Sequence, residues 1–521
     1  MRGPSVWRFF LVACCVLRAT VVVATERPNV VFLFADDQRA DTIAAHGNQF
    51  IHTPNLDQLA GNGFSFLRNY CAGSFSGAVC VASRAMLMTG KHWMHLPQER
   101  PQSNWGGEVL LPAVLQQHGG YRTFIVGKWH NGESTLRSAF REGRSVYMGG
   151  MANHADFQVQ DLTNGMLGPK HDAGGFSSSI FADEAISFIQ GADATQPFFL
   201  YVAFTAPHDP RNPPESFRKR YYENRPPLPE NFLPVHPFNN APQTTSGRDE
   251  SLAAWPREKS VISDQLCEYY GLITHLDEQV GRIMEAISDS AHAKNTIIIY
   301  TADHGLAMGS HGLLGKQNIY EQSMRCPLIL NGPKVPSGQS SRAMTYVHDL
   351  YATICDFAGV PMPQGIDARS LRPIMDETKK SVRQSLFLPF QDNQRSVRNK
   401  RWKLHVYPQI NHRLLFDLSV DPFELSNVAD DPSYADVVDD MMGLMHDWQN
   451  QLGDSSPLKS EQPSPKEAVY DNNKRTLDKW QPEWIREKYF ARVIEPRASE
   501  EEKTPHNKER VNDRKLERSL K

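Results

Sequence analysis

Four apolar runs of strand length constrain the fold of this chain more than any other feature of its sequence. They lie at 29–34, 123–126, 198–204 and 296–301. None alternates with polar residues, which is typical of parallel strands buried on both faces. Segments with helical start and stop signals lie between them, at 56–60, 113–118, 180–189 and 265–287. The pattern predicts an α/β fold in which helices cover both faces of a mostly parallel sheet.

The sequence pattern changes after about residue 380. Short apolar runs follow at 385–388, 402–406 and 414–418, and a helical stretch follows at 435–452. They predict a smaller antiparallel sheet with one packed helix. We therefore expect an N-terminal α/β domain over 25–380, a C-terminal subdomain over 381–495, and a charged tail over 496–521.

The first 24 residues indicate an export signal. Arg2 and Arg8 precede an apolar run at 9–17, and small residues at 22–24 suit cleavage. We expect a periplasmic or extracellular protein. The run 11–14, which ends in Cys14, leaves lipoprotein anchoring as the alternative. No later stretch is long and apolar enough to predict a transmembrane helix.

Composition narrows the classes of partner. The formal net charge is −3 over 521 residues, so neither nucleic acid nor an anionic membrane surface is indicated as a partner. Seven cysteines are present, and five remain after residue 24. An odd number in an exported protein indicates a reactive or modified side chain, or unpaired buried thiols.

Charged side chains follow each of the four predicted strands. They are Asp36 and Asp37, then Lys128 and His130, then His208, and finally Asp303 and His304. Because the carboxyl ends of parallel strands meet at one edge of a sheet, these side chains are predicted to share a ligand site. The three aspartates offer the oxygen ligands that Ca²⁺ or Mg²⁺ prefers. The alternative is that Asp36 and Asp37 merely cap the next helix.

A helix is predicted to begin near Cys80 and to end at Gly90. This places the Cys80 side chain where backbone N–H groups and the helix dipole favour negative charge. The position suits a thiol of lowered pKa, and it equally suits an ordinary half-buried cysteine.

These segments together resemble the sulfatase family. The run 80–84 with Thr89 and Gly90 is similar to the signature in which cysteine is oxidised to formylglycine. Further similar segments are 28–37, 127–130, Pro207 with His208, and 301–305, followed by His311, Gly312, Gly315, Lys316, Tyr320, Glu321, Arg325 and Pro327. The resemblance runs from about residue 27 to at least 430, with the motifs in the family's order. It implies a secreted type I sulfatase of the alkaline-phosphatase-like superfamily.

The resemblance also implies a role for each residue. Asp36, Asp37, Asp303, His304 and residue 80 would hold one divalent cation, Ca²⁺ by expectation and Mg²⁺ as the alternative. Hydrated formylglycine at position 80 would attack sulfur, oriented by Arg84. Lys128 and Lys316 would neutralise sulfate oxygens. His208, or Lys316 beside it, would protonate the leaving alcohol, and His130 would remove the second diol proton to expel sulfate.

Two positions depart from the usual family pattern. Ala82 stands where most members have proline, in the segment that the formylglycine-generating or sulfatase-maturating enzyme recognises. His304 stands where many members have asparagine, and a nitrogen ligand is less usual for calcium.

Two other functions remain open at this point. One is a phosphodiesterase or phosphonate monoester hydrolase of the same superfamily. The other is a sulfatase-like binding protein whose Cys80 stays unmodified. The substrate that we expect is a sulfated carbohydrate or another sulfated small molecule. Arg211, in the proline-rich segment 207–256, or neighbouring polar groups are candidates for binding it.

Overall fold

The computed structural model describes residues 27–239 and 247–470. The predicted export signal and charged tail lie outside these described residues. Helices and strands are numbered below in chain order. The helices are α1 Pro54–Gly61, α2 Val79–Thr89, α3 Leu111–Gly119, α4 Glu133–Ala139, α5 Ser177–Gln190, α6 Glu215–Glu223, α7 Lys259–Ser288, α8 Glu321–Met324, α9 Asp349–Ala358, α10 Arg372–Met375 and α11 Ala435–Leu452.

Twelve strands of the described residues form one large sheet. They are β1 Asn29–Ala35, β2 Phe64–Tyr70, β3 Arg122–Lys128, β4 Glu142–Tyr147, β5 Gln158–Thr163, β6 Met166–Leu167, β7 His171–Asp172, β8 Phe198–Ala203, β9 Thr296–Ala302, β10 Arg325–Cys326, β11 Leu328–Asn331 and β12 Gln339–Tyr346. The strands lie in the order β10-β2-β11-β9-β1-β8-β3-β4-β5-β6. Outside this order, β12 pairs with β2 and β7 pairs with β5.

The four predicted strands form the centre of this sheet as β9-β1-β8-β3. All three of their pairings are parallel, and Phe34 lies opposite both Ala203 and Thr301. Antiparallel strands extend the sheet beyond this centre, β11 on one side and β5 on the other. The mostly parallel α/β prediction is therefore confirmed.

Burial explains why the central strands carry no polar alternation. Every residue of β1, β8 and β9 is buried. Helices α5 and α7 pack against each other, and α3 contacts α9. Their apolar faces join the strands in one core. Such a sheet leaves its carboxyl edge as the place where polar side chains gather.

A second, four-stranded antiparallel sheet follows near the C-terminus. Its strands are β13 Leu386–Phe387, β14 Arg395–Arg398, β15 Trp402–Tyr407 and β16 His412–Asp417. Helix α11 packs on it through Val438, Met441 and Met445. The small sheet and its helix were predicted, but β14 was missed because half of its residues are arginines. Among the described residues, no helix has the length and apolarity that a membrane crossing requires.

Candidate active site

Cys80 lies in the first turn of α2, at the carboxyl edge of the large sheet. Its side chain is buried, as is every other residue of this helix. Ser83 Oγ donates a hydrogen bond of 2.8 Å to the Asp303 carbonyl, which ties the helix to the end of β9. Gly90 ends the helix in the left-handed conformation, at φ 67°. The helix therefore presents residue 80 to the ends of the central strands.

The carboxyl ends of β1 and β9 bring three aspartates and a histidine together, all fully buried. Ligand atoms of Asp36, Asp37 and Asp303 lie within 4.8 Å of one another, and those of Cys80, Asp303 and His304 do the same. The Asp37 N–H donates to Asp303 Oδ1 at 3.0 Å. These residues are the five ligands that the sequence resemblance implied.

The His304 ring is arranged as a metal ligand usually is. His304 Nδ1 donates to the Gly305 carbonyl at 2.9 Å, which leaves Nε2 to face the carboxylates. Nε2 lies 3.3 Å from Asp37 Oδ1 and 3.7 Å from Asp303 Oδ1, yet it makes no hydrogen bond within the described residues. Ligating histidines typically donate their other N–H to a carbonyl or carboxylate. The donor set therefore fits one divalent cation.

The electrostatics of the cluster also favour a cation. Burial raises the pKa of Asp303 to about 7, and the nearby Asp36 carboxylate adds to this. Burial lowers the pKa of His304, but Asp303 and Asp37 outweigh it and raise that pKa to about 9. Protons thus occupy a site crowded with carboxylates, and a divalent cation would displace them.

Two lysines and an arginine surround the carboxylates. Lys128 pairs with Asp36, and Arg84 Nη2 lies 3.4 Å from both Asp36 and Asp303. Burial raises the pKa of Asp36, but Lys128 and Arg84 hold it well below its usual range. Lys316 Nζ lies 2.9 Å from both carboxylate oxygens of Asp37. Lys128 is fully buried behind the carboxylates, whereas Lys316 reaches the cavity beside Cys80.

His130 contacts the Cys80 side chain. Its Nδ1 lies 3.3 Å from Cys80 Sγ. The residue lies two positions after the end of β3 and adopts the left-handed conformation, at φ 68°. Burial lowers the pKa of His130, so its ring is neutral near pH 7 and is able to accept a proton. Burial raises the pKa of Cys80, but the charge of Lys128, together with the Lys316 charge and the hydrogen bond from His130, outweighs it and lowers that pKa well below the usual range.

His208 approaches from the loop after β8. Its Nδ1 donates to the Asp209 carbonyl at 2.8 Å, and its Nε2 accepts from Lys316 Nζ at 2.9 Å. This pair lies on the side of Asp37, whereas His130 lies on the side of Cys80. The structure therefore brings the predicted metal ligands and catalytic residues into one cluster, which is buried except for the half-buried His130.

A cavity of about 300 Å³ opens onto this cluster. The lining residues that were not predicted from the sequence include Gly150, Met151, Arg248, Asp249 and Gln317. Gln317 follows the Lys316 motif directly, which was a usable signal, but the other four had none.

The expectation for Arg211 was wrong. Its side chain is 2% exposed and donates to Gln265 Oε1, so it is held inside the protein. Arg248, which pairs with Asp209 and Asp249, lines the cavity instead.

The cysteines other than Cys80 have no comparable surroundings. Cys71, Cys267, Cys326 and Cys355 are buried free thiols. Burial raises the pKa of each one, which is the property of inert core cysteines. Position 80 alone among the described cysteines combines a lowered pKa with access to the cavity.

Comparison with known families decides what kind of site this is. The model of the sulfatase family matches residues 28–360, which include every residue of the cluster. The chain belongs to the sulfatase family. A second model, of the C-terminal part of N-sulphoglucosamine sulphohydrolase, matches residues 309–451. The protein is thus a type I sulfatase of the alkaline-phosphatase-like superfamily, an enzyme that hydrolyses sulfate esters.

Individual relatives support this assignment over most of the chain. An arylsulfatase of Clostridium perfringens is 26% identical over 453 residues, which cover 79% of this chain and 92% of the relative. An N-acetylglucosamine-6-O-sulfatase of Bacteroides thetaiotaomicron is 25% identical over 509 residues, covering 84% and 89%. A solved structure in complex with its substrate D-glucosamine-2-N,6-O-disulfate superposes with a TM-score of 0.72 at 24% identity, covering 84% and 100%, and shows the shared fold.

Proposed function

We propose that this sulfatase is exported and removes sulfate from a sulfated carbohydrate, using a formylglycine made from Cys80. The sugar substrate is supported by the N-acetylglucosamine-6-O-sulfatase relative. Export is supported by the pattern of residues 1–24. Conversion of the thiol to an aldehyde requires a separate maturation enzyme as a partner during biosynthesis.

One observation carries the proposal. Cys80 Sγ, a ring nitrogen of His304 and a carboxylate oxygen of Asp303 lie within 4.8 Å of one another, although the three residues come from two distant segments. A buried cysteine beside a cation site, with His130 and Lys316 next to it, has the surroundings that a modified nucleophile needs.

Asp36, Asp37, Asp303, His304 and residue 80 would hold one cation, which we propose to be Ca²⁺, with Mg²⁺ as the alternative. When bound, the cation lowers the pKa of a hydroxyl on residue 80 and polarises the sulfate. Arg84 is held by the Lys128 carbonyl at 3.1 Å and stacks on Phe34. It is thus fixed where it can orient the residue 80 side chain.

The protein's own groups divide the proton transfers between two sides of the cavity. When the bond between sulfur and the sugar oxygen breaks, the sugar leaves as an alkoxide, which is too basic to depart unless it is protonated. His208 with Lys316 is placed to supply that proton, because the two nitrogens share one hydrogen bond at the cavity wall. Neutral His130 is placed to take a proton from residue 80 on the other side.

A panel of matched esters tests this function. The enzyme, produced with a maturation enzyme, is assayed on hexose sulfates, on 4-nitrophenyl sulfate, and on the corresponding phosphate and phosphonate esters. We expect the highest kcat/KM on a hexose sulfate and multiple turnovers on the aryl ester. Higher kcat/KM on a phosphodiester or phosphonate ester would instead support the alternative activity. Binding of sulfated sugars without turnover would support the unmodified binding protein.

A further inference from the structure

His154 is a buried histidine next to the site that the proposed mechanism does not use. It lies in the loop between β4 and β5, and its side chain is 1% exposed. It lines no part of the cavity that opens onto Cys80. Its ring nevertheless reaches the loop that carries His208, 54 residues further along the chain.

The contact is a hydrogen bond to the main chain of His208. His154 Nε2 lies 2.9 Å from the His208 carbonyl oxygen. Because a carbonyl only accepts, Nε2 must carry the hydrogen. The His208 N–H donates to the Thr205 carbonyl at 3.0 Å. These two bonds fix both main-chain polar groups of His208.

Two hydroxyl groups fix the tautomer of His154. Its Nδ1 lies 2.8 Å from Ser177 Oγ, and Thr205 Oγ1 donates to that same Ser177 Oγ at 2.9 Å. Ser177 is therefore free to donate its own hydrogen to Nδ1, which keeps the Nε2–H form. Burial lowers the pKa of His154 to about 4, so the ring stays neutral. The His154 carbonyl also accepts from the Ser177 N–H at 2.7 Å, which fixes the loop to the start of α5.

We propose that His154 is a positioning residue for the sulfatase reaction. Its Nε2–H holds the main chain at His208, so that the His208 imidazole stays against Lys316 and the leaving-group oxygen. The inference rests on the proposed role of the His208–Lys316 pair as the acid. It predicts that loss of His154 impairs protonation of the leaving group and not attack at sulfur, since His130 and residue 80 lie on the other side of the cavity.

Leaving-group dependence distinguishes this role from a merely structural one. A 4-nitrophenolate departs without a proton, whereas a sugar alkoxide needs one. We expect H154L to lower kcat by about 30-fold on a hexose 6-sulfate and by less than about 3-fold on 4-nitrophenyl sulfate, because a general acid contributes on the order of 10² to 10⁴. H154Q, whose amide is able to donate to the same carbonyl, should recover most of the loss.

Variants of His208 provide the matched comparison. On the hexose sulfate, the kcat of H208A should fall at least as far as that of H154L. The H154L/H208A double variant should have a kcat no lower than that of H208A. Retained activity on 4-nitrophenyl sulfate shows that each variant is folded. Equal losses of H154L on both esters, or additive losses in the double variant, would overturn the inference. If H208A itself loses equally on both esters, the proposed acid role fails and the inference fails with it. If H208A loses activity only on the hexose sulfate while H154L loses it equally on both esters, the inference about His154 is overturned and the proposed acid role stands.

Discussion

The space beside His130 allows a sharp test of the proposed base. Gly150 packs against the ring edge, and a methyl group at position 150 would overlap Cε1 and Nε2 of His130. Gly150 is not in the left-handed conformation, so Gly150→Ala strains the contact and not the backbone. Ordinary contact requires the ring to retreat by about 1 Å. The 3.3 Å contact between His130 Nδ1 and Cys80 Sγ would then be displaced by up to about 1 Å.

The expected loss follows from this displacement. A misplacement of about 1 Å costs on the order of 100-fold when the group must transfer a proton. We therefore expect G150A to lower kcat about 100-fold and to change KM by less than about 3-fold, because the residues that hold the sulfate do not move. The free energy of unfolding should change by no more than about 1 kcal/mol.

Steady-state kinetics on 4-nitrophenyl sulfate measure kcat and KM, and chemical denaturation in parallel measures the free energy of unfolding. Gly443→Ala is the matched control, because Gly443 lies within α11 and a methyl group there meets no atom within 4 Å. It should retain full activity and gain roughly 0.5–1 kcal/mol of stability. Wild-type kcat in G150A would refute the reasoning. So would a G150A/H130A variant much slower than H130A, since both changes should act through one ring.

Three further predictions concern the nucleophile, the cation and a remote carboxyl. Cys80→Ser should bind substrate but turn over far more slowly than the wild type, because serine cannot expel sulfate as a diol does; equal multiple-turnover rates would contradict the mechanism. Chelation of the cation should abolish activity and lower Tm. Adding Ca²⁺ at about 100-fold its Kd should restore roughly 2.7 kcal/mol of the free energy of unfolding. The Asp303→Asn variant should gain no such stability when Ca²⁺ is added. Burial raises the pKa of Glu268 to about 7, so the stability that its protonated form contributes is lost as pH rises from about 4.5 through 7. In urea denaturation, the free energy of unfolding of Glu268→Gln should therefore rise by on the order of 1–3 kcal/mol relative to that of the wild type between pH 5 and pH 7.5. The same difference between the two proteins at both pH values would contradict this.

The sheet could be predicted because its signal is local. The strand at 29–35 is apolar throughout and is buried on both faces, so its own residues reveal its place in the fold. Strand β14 shows the opposite case. Its Arg395 is buried because Asp454 and Ser456 accept hydrogen bonds from it, and these partners lie about 60 residues away. A local pattern carries no sign of such a partner.

The same distinction applies to the site. Asp36, Asp37 and Asp303 could be assigned to one edge because parallel strands end together. Gly150 and His154 could not be, since their importance lies in contacts with His130 and His208 that only the folded chain brings about. Arg211 was misassigned for a related reason: a charged residue in a polar segment gives no indication that it is buried. The domain boundary near residue 380 and the export signal stay predictions.

The most direct measurement is the mass of the peptide that contains residue 80, taken from protein whose turnover has been measured in the same preparation. The structure places this residue beside the candidate cation ligands and His130. We predict the mass of an aldehyde or its hydrate at position 80, together with reaction of the peptide with a hydrazide. Active enzyme in which residue 80 is entirely an unmodified thiol would contradict the account.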